Sequence, residues 1–221
     1  RLLKDVYLVG GGSFSGFGLT SGPDSHVYLL DGGSVLALID CGLGTSIDEV
    51  TALIKADGLD PSRIERLFLT HYHADHAGGA SRFRERLGLR TSIAREAQAA
   101  VESGDEDATA FAVAQRAGIY PSEVHLAPCP IDDPLDASHP SRTVGRLTIT
   151  YVPTPGHCAG HGSYLVTGGA RPALFAGDCV FWAGQVLLQA IADCDLGQSL
   201  ASIQRLDELA FDALLPGHGP V

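Results

Sequence analysis

The chain has 221 residues, 45% of them hydrophobic, enough to bury a sizeable core as one domain spanning 1–221. Lys and Arg number 15 against 26 Asp and Glu, and the net charge of -11 argues against nucleic acid or an anionic membrane surface as a partner. No run of about 18 apolar residues occurs, so no membrane-spanning segment is expected.

"DVYLVG" (5–10), "SHVYLLD" (25–31) and "SVLALIDCG" (34–42) predict three strands, the last two joined as a hairpin by "DGG" at 31–33. Between the first two lies "GGSFSGFGLTSGPD", a glycine-rich loop bearing Phe14 and Phe17. It lacks the Lys-Ser/Thr of a phosphate-binding loop and does not open onto a helix, so nucleotide binding is not expected. A helix is predicted at 46–57, with Ser46 and Glu49 as a capping box and Ile47, Val50, Leu53 and Ile54 on one face. "RIERLFLT" (63–70) reads as a strand, and 79–88, 92–102 and 105–117 read as helices. Five prolines mark 118–145 as irregular, and 103–144 is expected to cover the site rather than join the core. Strands return at 146–152, 162–168 and 172–178, followed by a helix at 197–210 and a short strand at 213–216. The alternation defines the α/β class.

Four of these strands share an ending. "LFLT" runs into His71-Tyr72-His73-Ala74-Asp75-His76, "TYVPTPG" into His157, "LFAG" into Asp178 and "LLPG" into His218. Each places a metal-capable side chain just past the carboxyl end of a strand, where α/β sheets assemble ligand sites. A glycine precedes three of the four and permits close backbone approach. One such residue is an ordinary polar cap. Three His and an Asp within six positions are not, because a buried imidazole without a partner is costly. His and Asp without Cys suit Zn(II), Fe(II) or Mn(II).

The set "HYHADH", "TPGH", "AGD" and "PGHG", in this order, resembles the metallo-β-lactamase superfamily, in its glyoxalase-II- and lactonase-like branch, over essentially the whole chain. The resemblance implies an αββα sandwich, two mixed sheets flanked by helices with metals at one edge. It implies that His71, His73 and His157 hold a first divalent ion, that Asp75, His76 and His218 hold a second, and that Asp178 bridges them. Zinc is the expected metal, with Fe(II) or Mn(II) as substitutes. Two metals flanking a water make a bridging hydroxide available near neutral pH, and Asp75 is the expected catalytic proton carrier. The activity implied is hydrolysis of a small-molecule lactone, ester or thioester. Phe14 and Phe17, on a loop where relatives carry a flap, and Phe181 and Trp182, after Asp178, are the expected apolar walls of the substrate pocket.

Two alternatives stay open: a β-lactamase-type amide hydrolase, and an iron-dependent redox enzyme such as a persulfide dioxygenase. Many β-lactamases have Cys or Ser in place of Asp178, and the full second ligand set argues against a mononuclear dioxygenase. Glutathione-binding relatives carry a helical extension; three residues follow His218 here, by nature or by trimming. Lactonases commonly use a tyrosine after the bridging Asp, and none follows Tyr164. His161 is expected beside the ligands rather than among them, His26 as a capped loop residue, and His125 and His139 as solvated. Tyr72 is expected to pack, and Cys158 and Cys179 to act as small buried hydrophobes. Five cysteines, an odd number without a CxxC, favour a reducing cytoplasm. Residues 1–10 carry no signal-peptide pattern, and a start at Arg1 is compatible with a removed leader.

Overall fold

In the computed structural model, which describes residues 1–221, ten strands divide between two sheets. β1 (Val6–Gly10), β2 (Val27–Asp31), β3 (Leu36–Ile39), β4 (Ile64–Phe68) and β5 (Arg90–Ser92) form the first, in that order. β6 (Ser141–Val144), β7 (Leu147–Pro153), β8 (Gly162–Thr167), β9 (Ala173–Gly177) and β10 (Ala213–Pro216) form the second, in the spatial order β10-β9-β8-β7-β6. Helices α1 (Ile47–Ala56), α2 (Ala74–Ala77), α3 (Ala80–Leu87), α4 (Gln98–Ser103), α5 (Phe111–Arg116) and α6 (Leu196–Asp207) lie between them in sequence. This is the expected αββα sandwich. No helix is long and apolar enough to cross a membrane.

Strand direction decides where the site falls. β3, β4 and β5 pair parallel, and β9 and β10 pair parallel. β7 is antiparallel to β8, and β8 to β9, so β7, β9 and β10 run the same way. Their carboxyl ends therefore lie along one edge of the second sheet. The end of β4 meets that edge, with the His71 and His157 rings 5.0 Å apart.

The inner faces of the sheets interdigitate through aromatic side chains. Tyr28 packs edge-on against Phe175 at 5.1 Å, and Phe68 against Tyr164 at 5.6 Å. The buried Tyr164 hydroxyl donates to the Leu69 carbonyl at 2.6 Å, tying the second sheet to the backbone just before the histidine turn. α1 covers the first sheet with Val50 and Ile54. Leu206 of α6 packs with Val152 and Leu174 on the second.

Several local expectations differ from the structure. Ser46 precedes α1 but makes no capping bond; its hydroxyl instead accepts from the Ser21 amide at 2.9 Å, where the glycine-rich loop folds back. The helix expected over 105–117 shrinks to α5. Asp105 Oδ1 caps the amides of Asp107 and Ala108 in a turn, and Ala110 adopts φ 55°. β5 and β6 were unpredicted, because "RTS" and "SRTV" show no apolar alternation; neighbouring strands recruit them. The segment 103–144 divides rather than forming one cover. Phe111 and Tyr120 pack with Leu43 and Ala74 beside the site, whereas Cys129, Ile131, Leu135 and Val144 join the main core. Widely spaced apolar residues among the prolines are enough to anchor that second half.

Phe68 is fully buried between the sheets. Phe68→Ala should cost about 3–5 kcal/mol, read as a lower midpoint in urea unfolding. A loss below about 1 kcal/mol would mean that the sheets do not depend on this contact.

Candidate metal centre

The turn after β4 and the short helix α2 present His71, His73, Asp75 and His76 in six residues. His157 follows β7, Asp178 follows β9 and His218 follows β10. His71 Nε2 and His157 Nε2 each lie 3.0 Å from His73 Nδ1. His218 Nε2 lies 3.1 Å from Asp75 Oδ2 and 3.2 Å from His76 Nε2. Asp178 stands between the two groups, with Oδ1 3.2 Å from His76 Nε2 and Oδ2 3.6 Å from His157 Nε2 and 3.5 Å from His218 Nε2. Three sets have donor atoms within 4.8 Å of one another: His71-His73-His157, His71-His76-Asp178 and Asp75-His76-His218.

Hydrogen bonds behind the cluster determine which nitrogens face it. Thr70 Oγ1 donates to Asp40 Oδ2 at 2.8 Å, so its lone pair accepts from His71 Nδ1–H at 3.0 Å. His76 Nδ1–H donates to the same Asp40 oxygen at 2.9 Å. Ser15 Oγ donates to the Asp24 carbonyl and therefore accepts from His218 Nδ1–H at 2.9 Å. In all three rings Nε2 faces into the cluster. Acceptors then face acceptors, and Asp178 Oδ1 has no hydrogen-bond donor. Positive charge between them, a proton on His76 or His218 or a metal ion, resolves this. The donor set, imidazoles and carboxylates without thiolate, fits divalent ions of the zinc, iron or manganese kind.

The electrostatics express the same demand. Burial, reinforced by neighbouring rings, holds His71 well below its ordinary pKa and His73 down at about 4, so both keep free lone pairs. Burial also lowers His157. For His76 burial pulls down, but Asp178, Asp75 and Asp40 outweigh it and raise the ring well above its usual value. Burial would likewise raise Asp178, yet His218 and His76 hold it well below the carboxylate range.

Glycines allow the approach. Gly177 adopts φ 52°, and a Cβ there would lie 2.7 Å from His161 Nε2. A Cβ on Gly217 would lie 2.2 Å from Asp178 Oδ1.

His161 is adjacent to the cluster with both nitrogens engaged: Nε2 accepts from the Asp178 amide at 3.1 Å, and Nδ1 bonds Thr154 Oγ1 at 2.9 Å. His26 is a loop residue directly before β2, as expected. It is fully buried, which lowers its pKa to about 4, and the neutral ring donates from one nitrogen only, Nε2–H to the Ser15 carbonyl at 3.1 Å or Nδ1–H to the Pro216 carbonyl at 2.9 Å. His125 and His139 are exposed. Tyr72 is buried, and its hydroxyl reaches Asp193. Cys158 and Cys179 are buried.

A cavity of ≈ 610 Å³ opens over His73, Asp75, Asp178 and His218. Phe14, Phe181 and Trp182 line it. Phe17 does not; it packs edge-on against His26 at 5.4 Å, because the loop turns it away from the opening. Three participants escaped sequence reasoning. Asp40 ends "LALID" as the other site residues end their strands, a signal that was present. Ser15 and Tyr120 had none. The Tyr120 hydroxyl donates to Asp75 Oδ1 at 2.7 Å, with its ring stacked on Phe111 at 5.3 Å.

The family model of the metallo-β-lactamase superfamily matches residues 21–218, and the chain belongs to that superfamily. A Beta-lactamase-like protein 2 homolog of Caenorhabditis elegans is 27% identical over 197 residues, covering 89% of this chain and 56% of that protein. A hydroxyacylglutathione hydrolase of Dechloromonas aromatica is 28% identical over 184 residues, covering 83% and 54%. The chain thus spans about half the length of the curated relatives it matches. Among solved structures, a metallo-β-lactamase of Cronobacter sakazakii superposes with a TM-score of 0.76 at 20% identity, covering 99% of this chain and 79% of that one. A subclass B3 metallo-β-lactamase of Bradyrhizobium japonicum gives 0.75 at 19% identity, covering 99% and 76%. These similarities concern the fold.

Asp40→Ala strands the Thr70 amide, the Thr70 hydroxyl and His76 Nδ1–H in the interior. Each unsatisfied buried donor costs about 1–3 kcal/mol, so chelator-treated protein should already unfold at lower urea. Unchanged stability of that metal-free variant would show that Asp40 does not brace the turn.

Proposed function

We propose that this chain hydrolyses a small ester-like substrate, a lactone, ester or thioester, using two divalent ions, with zinc the first choice. His71, His73 and His157 would hold one ion, Asp75, His76 and His218 the other, and Asp178 would serve both. The observation that carries this reading is Asp178 standing between two converging donor groups at the floor of a cavity. Ions held there would supply a nucleophile from water near neutral pH and would polarise a substrate carbonyl.

The chain's own residues do the rest. Asp75 Oδ2 lies beside His76 and His218, which leaves Oδ1, with Tyr120 as its donor, to hold a proton between nucleophile and leaving group. Asp40, Thr70 and Ser15 keep the rings oriented at no cost in reorganisation during reaction. Phe14, Phe181 and Trp182 give a substrate its apolar contact. The named activity of the Dechloromonas relative supports thioester cleavage among the three options.

Metal-replete protein should carry about two transition-metal ions per chain by elemental analysis. A reproducible single ion, with His218→Ala fully active, would sink the dinuclear reading. Asp178→Ala should weaken both ions together, by more than the 10–100-fold typical of lost outer partners, measured by competition with a chromogenic chelator. Loss of one ion alone would count against a shared carboxylate.

Zinc reconstitution after chelation should restore turnover of activated lactones or thioesters without oxygen uptake. Asp75→Asn should lower kcat more than it raises KM. Activity restored by iron alone, with stoichiometric oxygen consumption, would replace hydrolysis with redox chemistry.

A further inference from the structure

The cavity above the donor cluster carries information about the substrate that the donors do not. Its walls come from three separate parts of the chain: Phe14 from the glycine-rich loop, Val113 and Ile119 from α5 and the turn after it, and Trp182 and Leu187 from the connection leaving β9. All five are exposed, Phe14 at 64% and Trp182 at 56%, on a protein of net charge -11. Solvated loops have no reason to aim large apolar side chains at one opening. Contiguous exposed apolar surface around a concavity is the mark of a ligand site.

The polar inventory is as telling. Above the floor, the side chains that can hydrogen-bond are neutral: Thr109, Tyr120, Gln185 and Gln189. No Lys or Arg lines the cavity. A carboxylate on the bound part of a substrate would find no fixed cation away from the reacting centre, and would enter against the field of an acidic surface. Burying it unpaired is costly.

We infer that the substrate is uncharged around its scissile bond and carries an aliphatic or aromatic group, which lies against Val113, Ile119 and Trp182. Substrates that carry carboxylates away from the scissile bond, as glutathione thioesters do, are poorly matched to these walls. This rests on the hydrolase reading for the site's chemistry, but the wall preference is measurable without turnover.

Trp182 is the only tryptophan in the chain, so its emission reports on this cavity alone. Zinc-loaded protein should be titrated with butanamide, octanamide and suberamic acid, the last matching octanamide in length but ending in a carboxylate. The titrations should be repeated after chelation. Burial of each methylene is worth about a two- to fourfold gain in affinity, so octanamide should bind at least about tenfold tighter than butanamide and blue-shift the emission. Suberamic acid should bind at least about tenfold more weakly than octanamide. Val113→Arg places a cation on the wall and should narrow or reverse that last preference.

Equal binding of the charged and uncharged ligands, no dependence on length, or an emission spectrum that never responds would each overturn the inference. Octanamide binding without hydrolysis of any ester or thioester would leave it standing and remove the hydrolase reading. Thioester hydrolysis without a length or charge preference would do the opposite.

Discussion

The Asp40 carboxylate carries the histidine turn. It sits at φ 59°, a backbone state that Asp tolerates better than most residues, at the carboxyl end of β3. From there one oxygen takes the Thr70 amide, and the other takes the Thr70 hydroxyl and His76 Nδ1–H. Those bonds hold Nδ1–H of His71 and His76 away from the cluster and turn both Nε2 atoms toward the same space. Without this buried acceptor the sequence "HYHADH" would still have its histidines, but not their convergence.

The sheets bring the other half of the site to meet it. Parallel pairing of β3 with β4 and of β9 with β10 places their carboxyl ends at one edge of the sandwich, where the β7–β8 hairpin connection adds His157. Aromatic contacts between the inner faces hold that edge in register, and Tyr164 bonds directly to the backbone entering the turn. The cluster therefore inherits its rigidity from the core. His26, Ser15 and the loop that folds over them extend the same bracing to His218.

Above this rigid floor the chemistry changes character. The floor is crowded with imidazoles and carboxylates, whereas the walls are apolar and come from connections rather than strands. The two regions differ in kind: one concentrates charge at fixed positions, and the other presents apolar surface on connections that can accept varied shapes. Tyr120 joins them, stacking on Phe111 in the wall and bonding Asp75 in the floor.

Much of this was legible in the sequence. The strands at 5–10, 25–31 and 146–178 announced themselves by apolar runs and turn signals, and the ligand-capable residues by their position just after such runs. A one-dimensional pattern suffices there, because a strand end fixes where the next side chain goes. What depended on tertiary structure was pairing across distance. Ser46 has the spacing of a cap, yet it bonds Ser21; "RTS" and "SRTV" have no strand period, yet neighbours recruit them. Phe14 and Phe17 lie three residues apart on one loop, and only folding sends the first into the cavity and the second against His26. Tyr120 sits in a proline-rich stretch with nothing local to mark it, 45 residues from the carboxylate it holds. Local sequence determines the conformations a segment can adopt, whereas hydrogen bonds and packing between distant segments select the one that the whole chain can satisfy.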